Sequence, residues 1–301
     1  MVGEIMDLEA LRTLIVVVEG KSFTKAAKAL SISQPSVSLH IKNLEELFQT
    51  KLIDRSPKHF HVTPTGEIVY QRAKQIASIV EKTHEEIFSY HNQLTGSLTI
   101  GASYTVGEYI LPSLLKDFDH NYPDIDLQIY IENTEKINRS VLLHEFDVGL
   151  VEGQVRSKEL RSFPFLEDEM VLIVPPGHPI REINNLKLSD LQGLTWVGRE
   201  EGSGTRDIMD AVFRAYSINA KKLITIGSNH GVVQAVQHGL GLSFISRSIV
   251  ENKFGEDLMV RLPIIQSPNR FFSCVLPAEG ELSKNVEVFI EAITDKYNME
   301  N

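Results

Sequence analysis

The feature that most constrains this chain is a proline-free stretch from Thr65 to Leu94 carrying a regular apolar seam. Val69, Ala73, Ile76, Val80, Thr83, Ile87, Tyr90 and Leu94 follow one another at intervals of four and three residues. That spacing keeps one helix stripe turned to one partner over several heptads. At about 1.5 Å per residue, a helix of about 30 residues is about 45 Å long. A small head cannot bury that length. The seam therefore predicts a helix paired with a second copy, antiparallel or parallel; the alternative is a helix lying on its own body domain. Thr63-Pro64 opens the helix and Thr95-Gly96-Ser97 breaks it into a hinge. The chain thus divides into a head over 1–64, a linker helix and hinge over 65–96, and a body over 97–301.

In the head, Asp7 to Glu19 sets Leu8, Leu11, Leu14, Ile15 and Val18 at helical spacing, with Asp7 as cap and Gly20 as stop. Ser22 caps a short helix, Phe23 to Leu30, whose Ala26, Ala27 and Ala29 permit close packing. A third helix runs from Gln34 to Phe48, with Pro35 in its first turn. Its expected buried stripe is Val37, Ile41, Leu44, Leu47 and Phe48; its other side carries Gln34, Ser36, Ser38, His40 and Lys42. Short hydrogen-bonding groups near a helix N-terminus suit base edges in a major groove. Lys51 to Arg55 and His59 to Val62 read as a small hairpin, or wing, with Arg55 and Lys58 available for phosphate or the minor groove.

Charge distribution supports this reading. The chain carries a net charge of −10, but residues 1–64 hold eight bases against seven acids, so the acidity belongs to the body. The local face, not the total, decides phosphate binding.

The segments LEALRTLIVVVEGKSFTKAAKALSISQPSVSLHIKNLEELFQTKLIDRS and HVTPTGEIVY resemble the LysR-type transcriptional regulators. The likeness extends over essentially the whole chain. It implies a multidomain α and α/β fold: an N-terminal winged helix-turn-helix, a long linker helix, and a two-lobed α/β sensor like a periplasmic binding protein. It also implies base-reading or flanking roles for Gln34, Pro35, Ser36, Ser38 and Arg55, backbone contacts from Thr24 and Ser33, and dimerisation through the linker. One position departs from the pattern: many members carry arginine directly after the serine matching Ser38, and here that residue is Leu39.

From Ser97 the pattern changes to strands alternating with helices, which predicts parallel sheets. Leu98–Gly101, Ile125–Ile131, Phe146–Val151 and Glu169–Val174 read as strands, and Gly107–His120 as a helix interrupted by Pro112. A second half begins near Leu191. Chain crossings near Phe165–Glu169 and Pro268–Phe272 would give lobe I over about 97–167 and 272–301, and lobe II over about 168–271, with a cleft between them.

Three loops entering helices are candidates for that cleft. They are Ser103-Tyr104-Thr105, the run Arg199 to Arg206 with Ser203, Gly204, Thr205 and Arg206, and Gly227 to His230 with Ser228 and Asn229. Each offers helix N-terminal N–H groups and hydroxyls, which suit an anion or serve simply as caps. The first aligns with the family's effector loop. The second resembles a loop of regulators of sulfur assimilation, cysteine biosynthesis and carbon fixation. The expected ligand is a small carboxylate, a sulfur oxyanion or a phosphorylated metabolite, with Thr105 and Thr205 donating to it.

Other chemistry is thin. The run Gly202 to Arg206 lacks the glycine spacing and the Lys-Ser/Thr of a nucleotide loop. No metal-ligand spacing, nucleophile–base motif or cofactor fingerprint stands out, so neither an enzyme nor a metal or cofactor site is expected. The lone Cys274 sits in an apolar strand and reads as inert. The absence of a long apolar run or a leader-like start favours a cytoplasmic protein over a solute receptor or a membrane protein. The expected partners are double-stranded promoter DNA, a small anionic effector and further copies of the chain in a dimer or tetramer, with RNA polymerase as a further candidate.

Overall fold

The computed structural model describes residues 7–56, 59–90, 94–153, 155, 157–183, 186–253, 259–260 and 269–297. The chain forms two compact units, residues 1–91 with 143–145, and residues 92–142 with 146–301.

The first unit opens with α1 (Leu8–Gly20), α2 (Phe23–Ala29) and α3 (Gln34–Leu47). Each starts on a short polar side chain accepting a first-turn N–H: Asp7 from Glu9, Ser22 from Lys25, Ser33 from Ser36. The left-handed residue that ends α1 is Lys21 at φ +46°, not Gly20, which stays helical. Leu11, Leu14, Val17, Ala26, Val37, Ile41 and Leu44 form the core, joined by Leu52 and Ile53. The stripe on α3 is shorter than its spacing predicts. Leu47 is half-buried and Phe48 exposed, while Glu45 is buried instead. Ala29 of α2 is likewise exposed.

Glu45 tolerates burial because its carboxylate is fully used. It accepts from the N–H groups of Leu52 and Ile53 at 3.1 and 3.3 Å and from Lys51 Nζ at 2.7 Å. Those bonds pin the wing, an antiparallel pair of β1 (Ile53–Ser56) and β2 (His59–Val62), to the end of α3. The long helix α4 (Pro64–Tyr90) follows. Gly66 lets its first turn approach the wing: a Cβ there would meet Leu52 O at 2.0 Å.

Part of the apolar seam has a partner within the same chain. Val69 and Ala73 are buried in the head core, with Ile76 packed against it. Beyond that point Val80 and Thr83 are exposed, and on neighbouring faces so are Ile68 and Ile79. The 4-3 spacing sets the stripe but not the surface that covers it. The side chains of Ile87 and Tyr90 lie outside the described residues.

The second unit contains β3 (Gly96–Ser103), a π-helical turn (Val106–Ile110), α5 (Leu111–Asn121), β4 (Ile125–Glu132), α6 (Thr134–Leu142) and β5 (Val148–Glu152). The long strand β6 (Leu160–Ile173) follows, then β7 (Thr195–Gly198), α7 (Gly204–Ala215), β8 (Lys222–Thr225) and α8 (Asn229–Gln237). The unit closes with β9 (Ser243–Ser246), α9 (Arg247–Lys253), β10 (Met259–Val260), β11 (Asn269–Pro277) and α10 (Lys284–Lys296). Pro112 begins a helix rather than interrupting one, because the residues before it wind as the π turn.

The sheets are mixed, not parallel throughout. Strand β3 runs parallel to β4 and β5, but β11 lies antiparallel to β5 and β6. Strands β7 and β8 are parallel, while β9 and β10 are antiparallel to β6. Each of these antiparallel pairs includes a crossing strand, β6 or β11. Strand β6 pairs with β11 as far as Glu169 and with β9 from Met170 onward, so one strand serves both lobes. Lobe I packs Leu98, Ile100, Phe118, Phe272 and Phe289. In lobe II Trp196 stacks on Phe244 and meets Phe213 edge-on. Cys274 is fully buried in β11, and burial pushes its thiol well above the ordinary range, which suits the inert role expected of it.

Candidate functional site

On the head, the outward side of α3 begins with exposed Gln34 and Pro35. Ser36 and Ser38 are half-buried, and Lys42 is exposed and paired with Glu46 at 3.2 Å. Ser33 and Ser36 share a hydroxyl bond of 2.7 Å, so both serve the helix start. His40 turns one ring nitrogen inward, Nδ1 lying 2.8 Å from Thr13 Oγ1 on α1. Thr24 is exposed on α2. Arg55 lies on β1 opposite Phe60. Its side chain, and Lys58 altogether, lie outside the described residues.

In the second unit the three candidate loops meet. Thr105 Oγ1 accepts from Asn229 Nδ2 at 3.1 Å, and Asn229 Oδ1 accepts from Arg199 Nη1 at 2.6 Å. The Arg199 guanidinium, 1% exposed, lies over the Tyr104 ring at 4.6 Å. Its Nε and Nη2 hold Glu200 bidentately, each at 2.8 Å. Burial opposes ionisation of Glu200, but Arg199 outweighs it and holds the carboxyl below its ordinary range. Ser228 caps α8, accepting from Gly231 N at 3.1 Å.

The second loop lies against the end of β5. A Cβ on Gly204 would meet Glu152 O at 2.3 Å, so only glycine allows the start of α7 this close. Thr205, expected to face a ligand, is otherwise engaged. Its hydroxyl donates to Glu152 Oε1 at 3.3 Å and accepts from Arg270 Nη1 at 3.1 Å. Arg206 is held along its own helix by Asp210 at 2.9 Å and by Arg199 O at 3.0 Å. Among the described residues of the three loops, the buried hydroxyls without a hydrogen-bond partner are those of Ser103 and Ser203, both 1% exposed. Ser203 stands at the N-cap of α7 but makes no capping bond. A buried orphan hydroxyl carries a desolvation cost that a bound acceptor would remove.

Sequence reasoning named Arg199 only as the start of the second loop, without its role, and missed Glu152, Asp168 and Arg270. The available signal was a charge inside an apolar run, as in Gly149-Leu150-Val151-Glu152 and Asn269-Arg270-Phe271-Phe272, where burial demands a partner.

Residues 8–67 match the family model "Bacterial regulatory helix-turn-helix protein, lysR family", and residues 91–298 match "LysR substrate binding domain". The chain is similar to "HTH-type transcriptional regulator CysL" of Bacillus subtilis (strain 168), 46% identical over 297 residues, covering 97% of this chain and 98% of that protein. It is also similar to a "Probable RuBisCO transcriptional regulator" of Cyanidioschyzon merolae, 33% identical over 283 residues, 88% of this chain and 93% of that one. Among solved structures, the CcmR regulatory domain of Synechocystis PCC6803 in complex with 2-PG superposes with a TM-score of 0.62 at 25% identity, covering 67% of this chain and 98% of that chain.

Proposed function

This chain belongs to the LysR family of DNA-binding transcription regulators, and we propose that its DNA binding answers to a small anion held between the lobes of its sensor. LysR regulators bind promoter DNA and oligomerise. In this reading the head over 1–64 docks Gln34, Pro35, Ser36 and Ser38 in a major groove. Thr24, Ser33, Lys42, Arg55 and Lys58 meet the backbone, and His40 contributes its outer ring edge. The linker over 65–96 pairs with a second copy along the exposed part of α4, in a dimer or tetramer. Binding at promoters places the chain in the cytoplasm and brings it to RNA polymerase.

The observation that carries the sensor reading is the pair of buried, unpartnered hydroxyls of Ser103 and Ser203. Ser203 is the N-cap of α7, whose first-turn N–H groups have no acceptor within the helix. Ser103 leads through Tyr104 into Thr105, which accepts from Asn229, and Tyr104 is fixed by Arg199. The 2-PG bound by the CcmR regulatory domain supports a small anionic ligand. A ligand shifts the regulator only by favouring one arrangement of the lobes. Here the lobes are bridged by Thr105–Asn229, Asn133–Glu200 and the main-chain bond from Glu135 N to Gly202 O at 3.1 Å.

The test is calorimetric titration of the full chain with acetate, sulfate, phosphate and 2-PG. At least one should bind the wild type and bind Ser203→Ala about tenfold to a hundredfold more weakly. Equal affinity in both proteins would remove Ser203 from the site.

A further inference from the structure

We propose that Leu39 is a base-reading residue that recognises the 5-methyl group of a thymine in the major groove. The inference rests on the reading of α3 as the recognition helix and adds to it the base that one position selects.

Leu39 stands on the outward side of α3. At about 100° per residue, it lies about 160° from Val37 and about 160° from Ile41, directly opposite the core. Both of those residues are fully buried, whereas Leu39 is 54% exposed. Its nearest neighbours on that face, three and four residues away, are Pro35, Ser36, Lys42 and Asn43. The side chain is therefore the outermost apolar point of the helix, one turn in from its N-terminus. A helix entering a groove brings that point closest to the base edges.

The chemistry then narrows the partner. An isobutyl group has no donor or acceptor, so it gains nothing from the oxygen and nitrogen edges of guanine, adenine or cytosine. Only thymine presents an apolar group in the major groove. Contact removes both the leucine and the methyl from water, and water leaving apolar surface is favourable. The polar neighbours Ser36 and Ser38 supply hydrogen bonds to adjacent positions, so the leucine adds discrimination where hydrogen bonding supplies none. The flexible, charged arm of an arginine at this place would instead favour guanine.

The experiment uses the full chain and a duplex library with a randomised core. Selection with the wild type yields a consensus, and each of its thymines is then replaced by deoxyuridine, which deletes the methyl group alone. Wild-type binding should fall about fourfold at one thymine in each half-site, the equivalent of one methyl group returned to water. Leu39→Ala should bind the thymine duplex more weakly and should not distinguish it from the deoxyuridine duplex. Because Leu39 is exposed, its melting temperature should match the wild type.

If Leu39→Ala keeps the wild-type consensus and the wild-type response to deoxyuridine at every position, the leucine does not read a base. Gln34→Ala, selected in parallel, separates the two levels. A changed consensus for Gln34→Ala with an unchanged one for Leu39→Ala overturns the inference alone. Unchanged consensus in both removes α3 from base recognition and overturns both readings.

Discussion

Arg270 donates from Nη1 to Thr205 Oγ1 at 3.1 Å, joining crossing strand β11 to the first turn of α7. The same guanidinium rests on Asp168 at 2.7 Å and on Glu152 at 3.0 Å, and Ser246 donates to Asp168 at 2.5 Å. Asp168 and Arg270 are also register partners across β6 and β11. Every member is buried, and two carboxylates face one cation. The cluster stands where the chain passes between lobes, so its geometry fixes how α7 meets β5.

Arg270→Met would leave both carboxylates without their cation. Removing one partner of a buried ion pair costs about 3–5 kcal/mol, and urea unfolding of the full chain at neutral pH should show a loss of that order. Burial raises Asp168 above its ordinary value of 3.8, although Arg270 and Ser246 pull the other way. A raised carboxyl stabilises the fold below its unfolded value, and that contribution fades as pH rises through the folded value. Wild-type stability measured against Asp168→Asn should therefore grow on acidification and shrink on return to neutral pH.

Glu45 has the opposite sign. Burial disfavours its charge, but Lys51 and the N–H groups of Leu52 and Ile53 prevail and hold it below its ordinary value of 4.5. Its contribution is present above that value and is lost as pH falls through the lower folded one. Glu45→Gln should destabilise the head at neutral pH, and its deficit against the wild type should close in acid. Denaturant melts at stepped pH, read by circular dichroism, check both directions.

Capping and base reading separate on α3. Ser33→Ala removes the cap and should cost about 1 kcal/mol of stability. Ser38→Ala should leave the melt unchanged and weaken binding to the selected duplex by about 1–3 kcal/mol. Melts and duplex titrations of the same two preparations decide whether the roles divide in this way.

Thr205 and Ser203 should likewise divide. Thr205→Val takes the acceptor from Arg270 Nη1 and should cost about 1–3 kcal/mol of stability. Ser203→Ala deletes an orphan hydroxyl, so its melt should hold or rise while anion affinity falls. The two melts, set beside calorimetric titration, distinguish a framework hydroxyl from a ligand-facing one.

Periodicity, caps and turn residues made the head and the alternating sensor legible. Asp7, Ser22 and Ser33 announced their helices because a cap is a local bond between near neighbours. What stayed hidden was non-local. Nothing in the spacing of Val69, Ala73 and Ile76 says that the covering surface is the chain's own head core. Thr205 and Ser203 sit two residues apart in one loop with similar side chains. Only the folded positions of Glu152 and Arg270 decide that the threonine is engaged and the serine free. The mixed sheets were missed for the same reason: strand direction depends on where β11 returns, which no local pattern records.

The most direct test of the account couples the two ends of the molecule. The selected duplex is titrated with the full chain by fluorescence anisotropy, with and without phosphate, sulfate or 2-PG. Ionic strength is held fixed because salt alone weakens DNA binding. The account predicts that at least one anion shifts the wild-type Kd about fivefold or more. The Ser103→Ala, Ser203→Ala double variant should bind anion-free DNA like the wild type and show no shift. A double variant that responds as the wild type does would contradict the account.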